Sequence, residues 1–204
     1  MAERLRLESR LPVGALNTRA SGWWAMIFTV FTEASLFAYL LFSYYYLAVQ
    51  PHLPGTFPEG GPPEMALALP NTIILLASSV AVAWAQLGIE HGSKERLTWG
   101  LGIGAVLGFV FLVVQYFEWA EKPFVLSSTP YSSLYYVITG FHMAHVVVGV
   151  AMLAALTWWS SRGYFNRVRY AHIHICALYW HFVDAVWLAV FFTFYLTPLL
   201  GLRT

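Results

Sequence analysis

The sequence predicts an all-α, polytopic membrane protein with five transmembrane helices, its N-terminus in the cytoplasm and its C-terminus outside. Three observations support this prediction: an apolar composition, five apolar segments of spanning length, and an uneven distribution of lysine and arginine. Of 204 residues, 59% are hydrophobic and 10% are charged, and the mean hydropathy is +0.62. Soluble domains carry about 25% charged residues, so this chain has too few polar side chains to cover a surface in water.

The five apolar segments set the predicted helices. A helix needs about 20 mostly apolar residues to cross a bilayer, and the candidate spans are approximately 22–49, 66–90, 97–120, 132–160 and 171–197. No internal repeat divides them, so one domain is expected over 21–204, preceded by a cytoplasmic tail, 1–20. The tail has four arginines and no apolar run, which argues against a cleaved signal peptide.

The basic residues predict the orientation, because lysine and arginine are enriched in cytoplasmic loops. On the opposite side are only Lys122 and Arg203, whereas the tail, the second loop and the fourth loop hold nine: Arg4, Arg6, Arg10, Arg19, Lys94, Arg96, Arg162, Arg167 and Arg169. The net charge of +1 gives no basis for a nucleic-acid partner. The single cysteine, Cys176, permits no intrachain disulfide and is expected to pack as a small apolar side chain.

Three pairs of polar residues lie within the predicted spans, each spaced three apart and therefore on one helix face. They are Gln115 with Glu118, His142 with His145, and His181 with Asp184. We interpret them as a structural polar network that ties helices together, with Asp184 orienting or neutralising His181. A haem or metal site is the alternative, but a di-metal site would need more carboxylates on facing helices, so no metal site is predicted.

Glu33 lies midway along the first span with no cationic residue one turn away on its own helix. An isolated carboxyl within a membrane is a functional candidate. The sequence leaves two roles open: a proton-exchanging or lipid-contacting carboxyl, or a neutral acid hydrogen-bonded to another helix. His172 and His174 start the last span near Arg167 and Arg169, and they are candidates for an interfacial anchor, a lipid-headgroup contact or a surface proton relay.

Five stretches, in this order, resemble subunit III of the haem–copper oxidases. They are AMIFTVFTEASLF (25–37), PNTIILLASSVAVAWA (70–85), QYFEW (115–119), TGFHMAHVVVG (139–149) and YWHFVDAVWLAVF (179–191). Trp119 stands where the family pattern has tyrosine. The last two stretches are the most specific. The resemblance as a whole spans about residues 22–197.

The resemblance implies a short, five-helix form that lacks two N-terminal helices of the longer mitochondrial-type proteins, as is typical of bacterial oxidases and therefore of a bacterial plasma membrane. Such a subunit binds no haem or copper itself, since these lie in partner subunits. It packs against subunit I, assembles with subunit II and other oxidase subunits, holds phospholipids between its helices and supports proton uptake. The resemblance also allows the oxidase complex to be part of a respiratory supercomplex.

The resemblance also suggests roles for individual residues. Glu33 matches the family's buried, carbodiimide-reactive carboxyl, and Arg162 aligns with an arginine that contacts lipid headgroups. His174 stands where the family often has a glutamate.

Alternative functions remain open at this stage. Subunit III of a quinol oxidase and the related accessory protein of nitric oxide reductase share the fold, although the aromatic-rich blocks favour cytochrome c as the electron donor. From a different class, a standalone membrane cytochrome b would use His142, His145, His174 or His181 as axial ligands. A small transporter is disfavoured, because the sequence has no pair of broken helices and no inverted repeat.

Overall fold

A computed structural model describes residues 21–50, 57, 65–165 and 170–199, and all its regular elements in these ranges are helical. The five long helices are α1 (Ser21–Ala48), α2 (Met65–Glu90), α3 (Lys94–Glu121), α4 (Pro130–Ser161) and α5 (Ala171–Phe191). Each is long and apolar enough to cross a membrane, which confirms the five predicted spans. The predicted tail and the basic residues 167 and 169 lie outside the described residues, so the orientation stays a prediction.

Two helices begin earlier than the hydropathy predicts, because polar residues cap them. The side chain of Ser93 accepts the backbone N–H of Arg96 at 3.4 Å, so α3 begins inside the predicted charged loop. At α4, Thr129 and Ser132 form a reciprocal capping box, with Pro130 in the first turn.

The end of α5 departs from the predicted uninterrupted helix. A π-helical segment, Phe192–Leu196, follows α5 and leads into a last helical turn, Thr197–Leu199. The backbone N–H of Thr197 donates to the carbonyl of Phe192, five residues earlier. The side chains of Thr193 and Thr197 lie 3.1 and 3.4 Å from the Tyr45 hydroxyl of α1, so polar contacts attach the widened turn to α1.

Small residues bring α2 and α3 together as an antiparallel hairpin. A Cβ added at Gly100 would lie 2.7 Å from the carbonyl oxygen of Ala81, so the two backbones pack too closely for any side chain there. Gly92, with φ of +81°, forms the turn between the two helices. This hairpin packs against α4 and α5.

The indole of Trp180 on α5 occupies the centre of the bundle. It is buried against Gly108 of α3 and Gly149 of α4, where added Cβ atoms would lie 2.5 and 2.6 Å from the ring. Its Nε1–H donates to the hydroxyl of Ser78 on α2 at 3.1 Å. One side chain therefore joins four helices.

By contrast, α1 is the least covered helix. Only 6% of its most apolar 18-residue window is buried, against 33–50% for the other four. Its main contacts are with α4 and α5, and much of the rest of its surface exposes aromatic side chains such as Phe28, Phe31 and Tyr39.

Candidate functional site

Glu33 of α1 is paired with His145 of α4. Its Oε2 lies 3.0 Å from His145 Nε2, and the two side chains are 31% and 14% exposed. Its partner comes from another helix, 112 residues away along the chain, as in the second role that the sequence leaves open, a carboxyl hydrogen-bonded to another helix. Phe37, one turn after Glu33, is buried against the His145 ring, with the ring centroids 5.2 Å apart. This contact determines which faces of α1 and α4 meet.

The hydrogen bonds of His145 determine where its protons lie. Its Nδ1 lies 2.7 Å from the carbonyl oxygen of Phe141, and because a carbonyl only accepts, Nδ1 carries a proton. One further proton then lies between Nε2 and the Glu33 carboxyl, on the imidazole or on the acid. In either arrangement the pair has no net charge, which lowers the cost of placing it near the middle of a spanning helix.

The pair lines a cleft of about 370 Å³ between α1 and the α4–α5 side of the bundle. Apart from the pair, Thr29 and Tyr179, its walls are apolar: Met26, Ala144, Val148 and Met152. The Tyr179 hydroxyl donates to the backbone carbonyl of His145 at 3.3 Å, which holds the phenol against the pair. The cleft thus combines an apolar wall with one proton-sharing polar contact.

His142 does not share the surroundings of His145, although the two lie on nearly the same face. It is fully buried, stacked on Trp187 with centroids 4.9 Å apart and edged by Phe37 and Phe111. Neither ring nitrogen has a hydrogen-bond partner among the described residues. The expectation that both histidines tie helices together by hydrogen bonds therefore fails for His142, whose contacts are ring contacts.

His181 and Asp184 meet a common partner on α2. The hydroxyl of Ser79 lies 3.3 Å from His181 Nδ1, and the same side chain hydrogen-bonds Asp184. Ser79 thus bridges the two side chains to α2, as expected of polar residues that tie helices together. One helix turn away, Trp187 Nε1–H donates to Thr72 of α2 at 3.0 Å. Sequence reasoning missed these hydroxyls, whose signal is a run of small polar residues in an apolar span.

Gln115 and Glu118 are both buried on the inner face of α3. Oxygen Oε1 of Glu118 lies 3.2 Å from the Lys122 ammonium and accepts hydrogen bonds from the hydroxyls of Tyr135 and Tyr195. None of these three partners was predicted from the sequence. The spacing of Glu118 and Lys122, four residues apart on one helix, was a signal for the ion pair.

The three candidates for headgroup or surface proton contacts lie where α4 ends and α5 begins. Arg162 follows α4 and places its guanidinium 4.3 Å from the ring centre of Trp158, while His172 is exposed. His174 lies 3.5 Å from the Glu90 carboxylate and 3.4 Å from the Gln86 amide nitrogen, both on α2. It therefore connects α5 to α2.

Histidine, cysteine and acidic side chains are the groups that could ligate a metal ion. In the part of the chain that the structure describes, no three such side chains are arranged to hold a metal ion. Both nitrogens of His145 are already engaged by Phe141 and Glu33. These contacts favour a structural or proton-sharing role for this histidine over axial ligation.

Comparison with known proteins identifies the family. The family described as cytochrome c oxidase subunit III matches residues 16–198. Proteins named cytochrome c oxidase subunit 3 from Drosophila yakuba, Sus scrofa and Tetraodon nigroviridis are 32%, 34% and 35% identical, over 84% of this chain and 68% of their own length. The match confirms the resemblance that the five sequence blocks predict, and the chain belongs to the cytochrome c oxidase subunit III family.

Proposed function

We propose that this chain is the accessory, non-redox subunit III of a terminal respiratory haem–copper oxidase that reduces dioxygen to water and pumps protons. Haem and copper would be held by partner subunits, with subunit I in direct contact and subunit II in the same complex. The observation that supports this most is family membership over residues 16–198. The proposed location is the plasma membrane of a bacterium, in which the chain spans the bilayer five times.

Lipid binding is the first contribution that we assign to the chain. The cleft beside Glu33 and His145 has apolar walls and lies on the side of α1, the helix that the rest of the bundle covers least. Apolar walls of this kind suit the acyl chain of a phospholipid. Arg162, just after α4, and His172, at the start of α5, would meet anionic headgroups at the predicted cytoplasmic surface.

Support of proton uptake is the second contribution. Glu33 and His145 share a proton in an uncharged pair, so the proton can shift between them without a change in net charge. At the predicted cytoplasmic surface, the His174 imidazole lies 3.5 Å from the Glu90 carboxylate, so this pair would be a second place where a proton can be exchanged. These groups would keep proton delivery to subunit I fast without taking part in dioxygen chemistry.

Removal of the Glu33 carboxyl tests this role. In the purified complex, Glu33→Ala is expected to leave the initial rate of dioxygen reduction near normal but to cause inactivation several times sooner during sustained turnover. The physical reason is that His145 loses its acidic partner and the cleft loses its polar contact. Oxygen consumption recorded over many turnovers measures both quantities.

Glu95→Ala is the matched control, because it removes an exposed carboxylate from the first turn of α3, remote in sequence and position from the cleft. It should leave the time course unchanged. Complete loss of the initial rate in Glu33→Ala would argue against an accessory role, and an unaltered time course would argue against a role for the pair.

Cytochrome c is the electron donor that we favour, because the similar proteins are named cytochrome c oxidase subunit 3. The donor site would lie on another subunit. Reduced cytochrome c and a quinol, supplied separately to the purified complex, distinguish this proposal from a quinol oxidase. Nitric oxide reduction by the complex would instead identify the related reductase.

A further inference from the structure

Three buried side chains between α2 and α3 have polar atoms that no described residue satisfies. The atoms are Oδ1 of Asn71, both amide atoms of Gln115 and Oε2 of Glu118. Asn71 and Gln115 are fully buried and Glu118 nearly so. Buried polar atoms in native proteins are almost always hydrogen-bonded to protein or to ordered water, so these four atoms require partners.

Asn71 lies beside the part of α3 that carries the other two side chains. Its amide nitrogen donates to the backbone carbonyl of Phe111 at 3.3 Å, the carbonyl that accepts the N–H of Gln115 in the regular α-helical pattern. Asn71 therefore lies at the turn of α3 that carries Gln115, and Glu118 follows one turn later on the same face. Because the Phe111 carbonyl only accepts, the atom of Asn71 left without a partner is its oxygen.

Glu118 has capacity for further hydrogen bonds. Lys122, Tyr135 and Tyr195 all contact one carboxylate oxygen, Oε1, and the second oxygen has no described partner. A carboxylate can accept about four hydrogen bonds through its two oxygens. The Lys122 ammonium balances the charge, so the remaining demand at Oε2 is for a donor and not for a second cation.

We propose that Asn71, Gln115 and Glu118 form an internal water-binding site between α2 and α3. One water molecule can donate to the oxygens of Asn71 and Glu118 while it accepts from the Gln115 amide N–H, so it provides partners for three of the four atoms. A cation would meet the Lys122 ammonium and the Gln115 amide hydrogens, and an anion would meet the Glu118 carboxylate. The water joins α2 to α3 and hydrates a carboxylate inside the bundle, away from the Glu33 cleft.

A density map of the intact oxidase complex, at a resolution that shows ordered water, tests the site. The expected result is a water peak within about 2.7–3.2 Å of Asn71 Oδ1, Gln115 Nε2 and Glu118 Oε2. Three outcomes would each overturn the proposal: no peak with the side chains in these positions, a peak that contacts only one of them, or a direct bond between the two amides.

Infrared difference spectra between samples of the same complex in ordinary water and in H₂¹⁸O provide a second measurement. An internal water should give an O–H stretching band that shifts when the solvent is exchanged for H₂¹⁸O. Gln115→Leu should lose this band. Gln86→Leu, which removes an amide from α2 near His174, should keep it. Retention of the band in Gln115→Leu, or its loss in both variants, would contradict the assignment, and the wild-type map remains decisive if Gln115→Leu fails to assemble.

Discussion

Replacement of Trp180 with alanine is expected to lower the free energy of unfolding of the bundle by about 3–5 kcal/mol, the range for loss of a large aromatic side chain from a packed core. The indole is buried between Gly108 and Gly149, so its removal leaves a cavity at the contact of α3, α4 and α5. The variant also removes the hydrogen bond to Ser78 of α2. Unfolding in detergent, followed as a function of temperature or denaturant, measures the loss.

Trp99→Ala is the matched control, because Trp99 is 69% exposed on α3. It should cost much less, since the same side chain is removed without opening the core. Gly149→Val should also lower the free energy of unfolding, by about 1–3 kcal/mol, but through overpacking and not through a cavity. Even a Cβ at this position would lie 2.6 Å from the Trp180 ring. Equal losses in the two tryptophan variants would contradict a central role for Trp180.

Replacement of Lys122 with methionine is expected to cost about 3–5 kcal/mol, as is usual when one partner of a buried ion pair is removed. Glu118 is only 4% exposed, and without the ammonium 3.2 Å away its carboxyl group would lose its charged partner in the interior. The hydroxyls of Tyr135 and Tyr195 would be its only described donors. Denaturant unfolding of the purified complex measures the effect.

A double variant separates the loss of the ion pair from the loss of the side chain. Lys122→Met combined with Glu118→Gln should be more stable than Lys122→Met alone, because the unpaired charge is removed as well. Lys94→Met, which removes an exposed cation from the other end of α3, should change little. Additive losses in the double variant would show that the two residues do not interact.

The helices of this protein could be predicted because each is an apolar segment of spanning length, and the predicted bounds agree with the structure to within three residues except at the end of α5, which stops at Phe191 and not at 197. The early starts of α3 and α4 show what hydropathy misses, since Ser93 and Thr129 extend the helices through hydrogen bonds that carry no apolar signal. The π-helical segment Phe192–Leu196 could not be predicted, because FTFYL reads as ordinary helix.

The candidate site was predictable in its members but not in its pairings. Within one helix, spacing shows which residues share a face, and it correctly placed Gln115 and Glu118 together on the inner face of α3. Pairings between helices depend on packing, so the sequence could not show that Glu33 meets His145, nor that His181 meets Ser79. Serine and threonine within apolar helices indicate such hydrogen bonds between helices. They were not recognised as partners because small residues at these positions also serve simply to let helices pack closely.

Purification of the native complex through a tag on this chain tests whether the chain is a non-redox subunit of a haem–copper oxidase. Intact-complex mass spectrometry is expected to show a haem-bearing and copper-bearing subunit together with retained phospholipid. An optical spectrum should assign the Soret band to the complex and not to this chain after its separation. A Soret band that stays with the separated chain, or a preparation without a haem–copper partner, would contradict the proposed function.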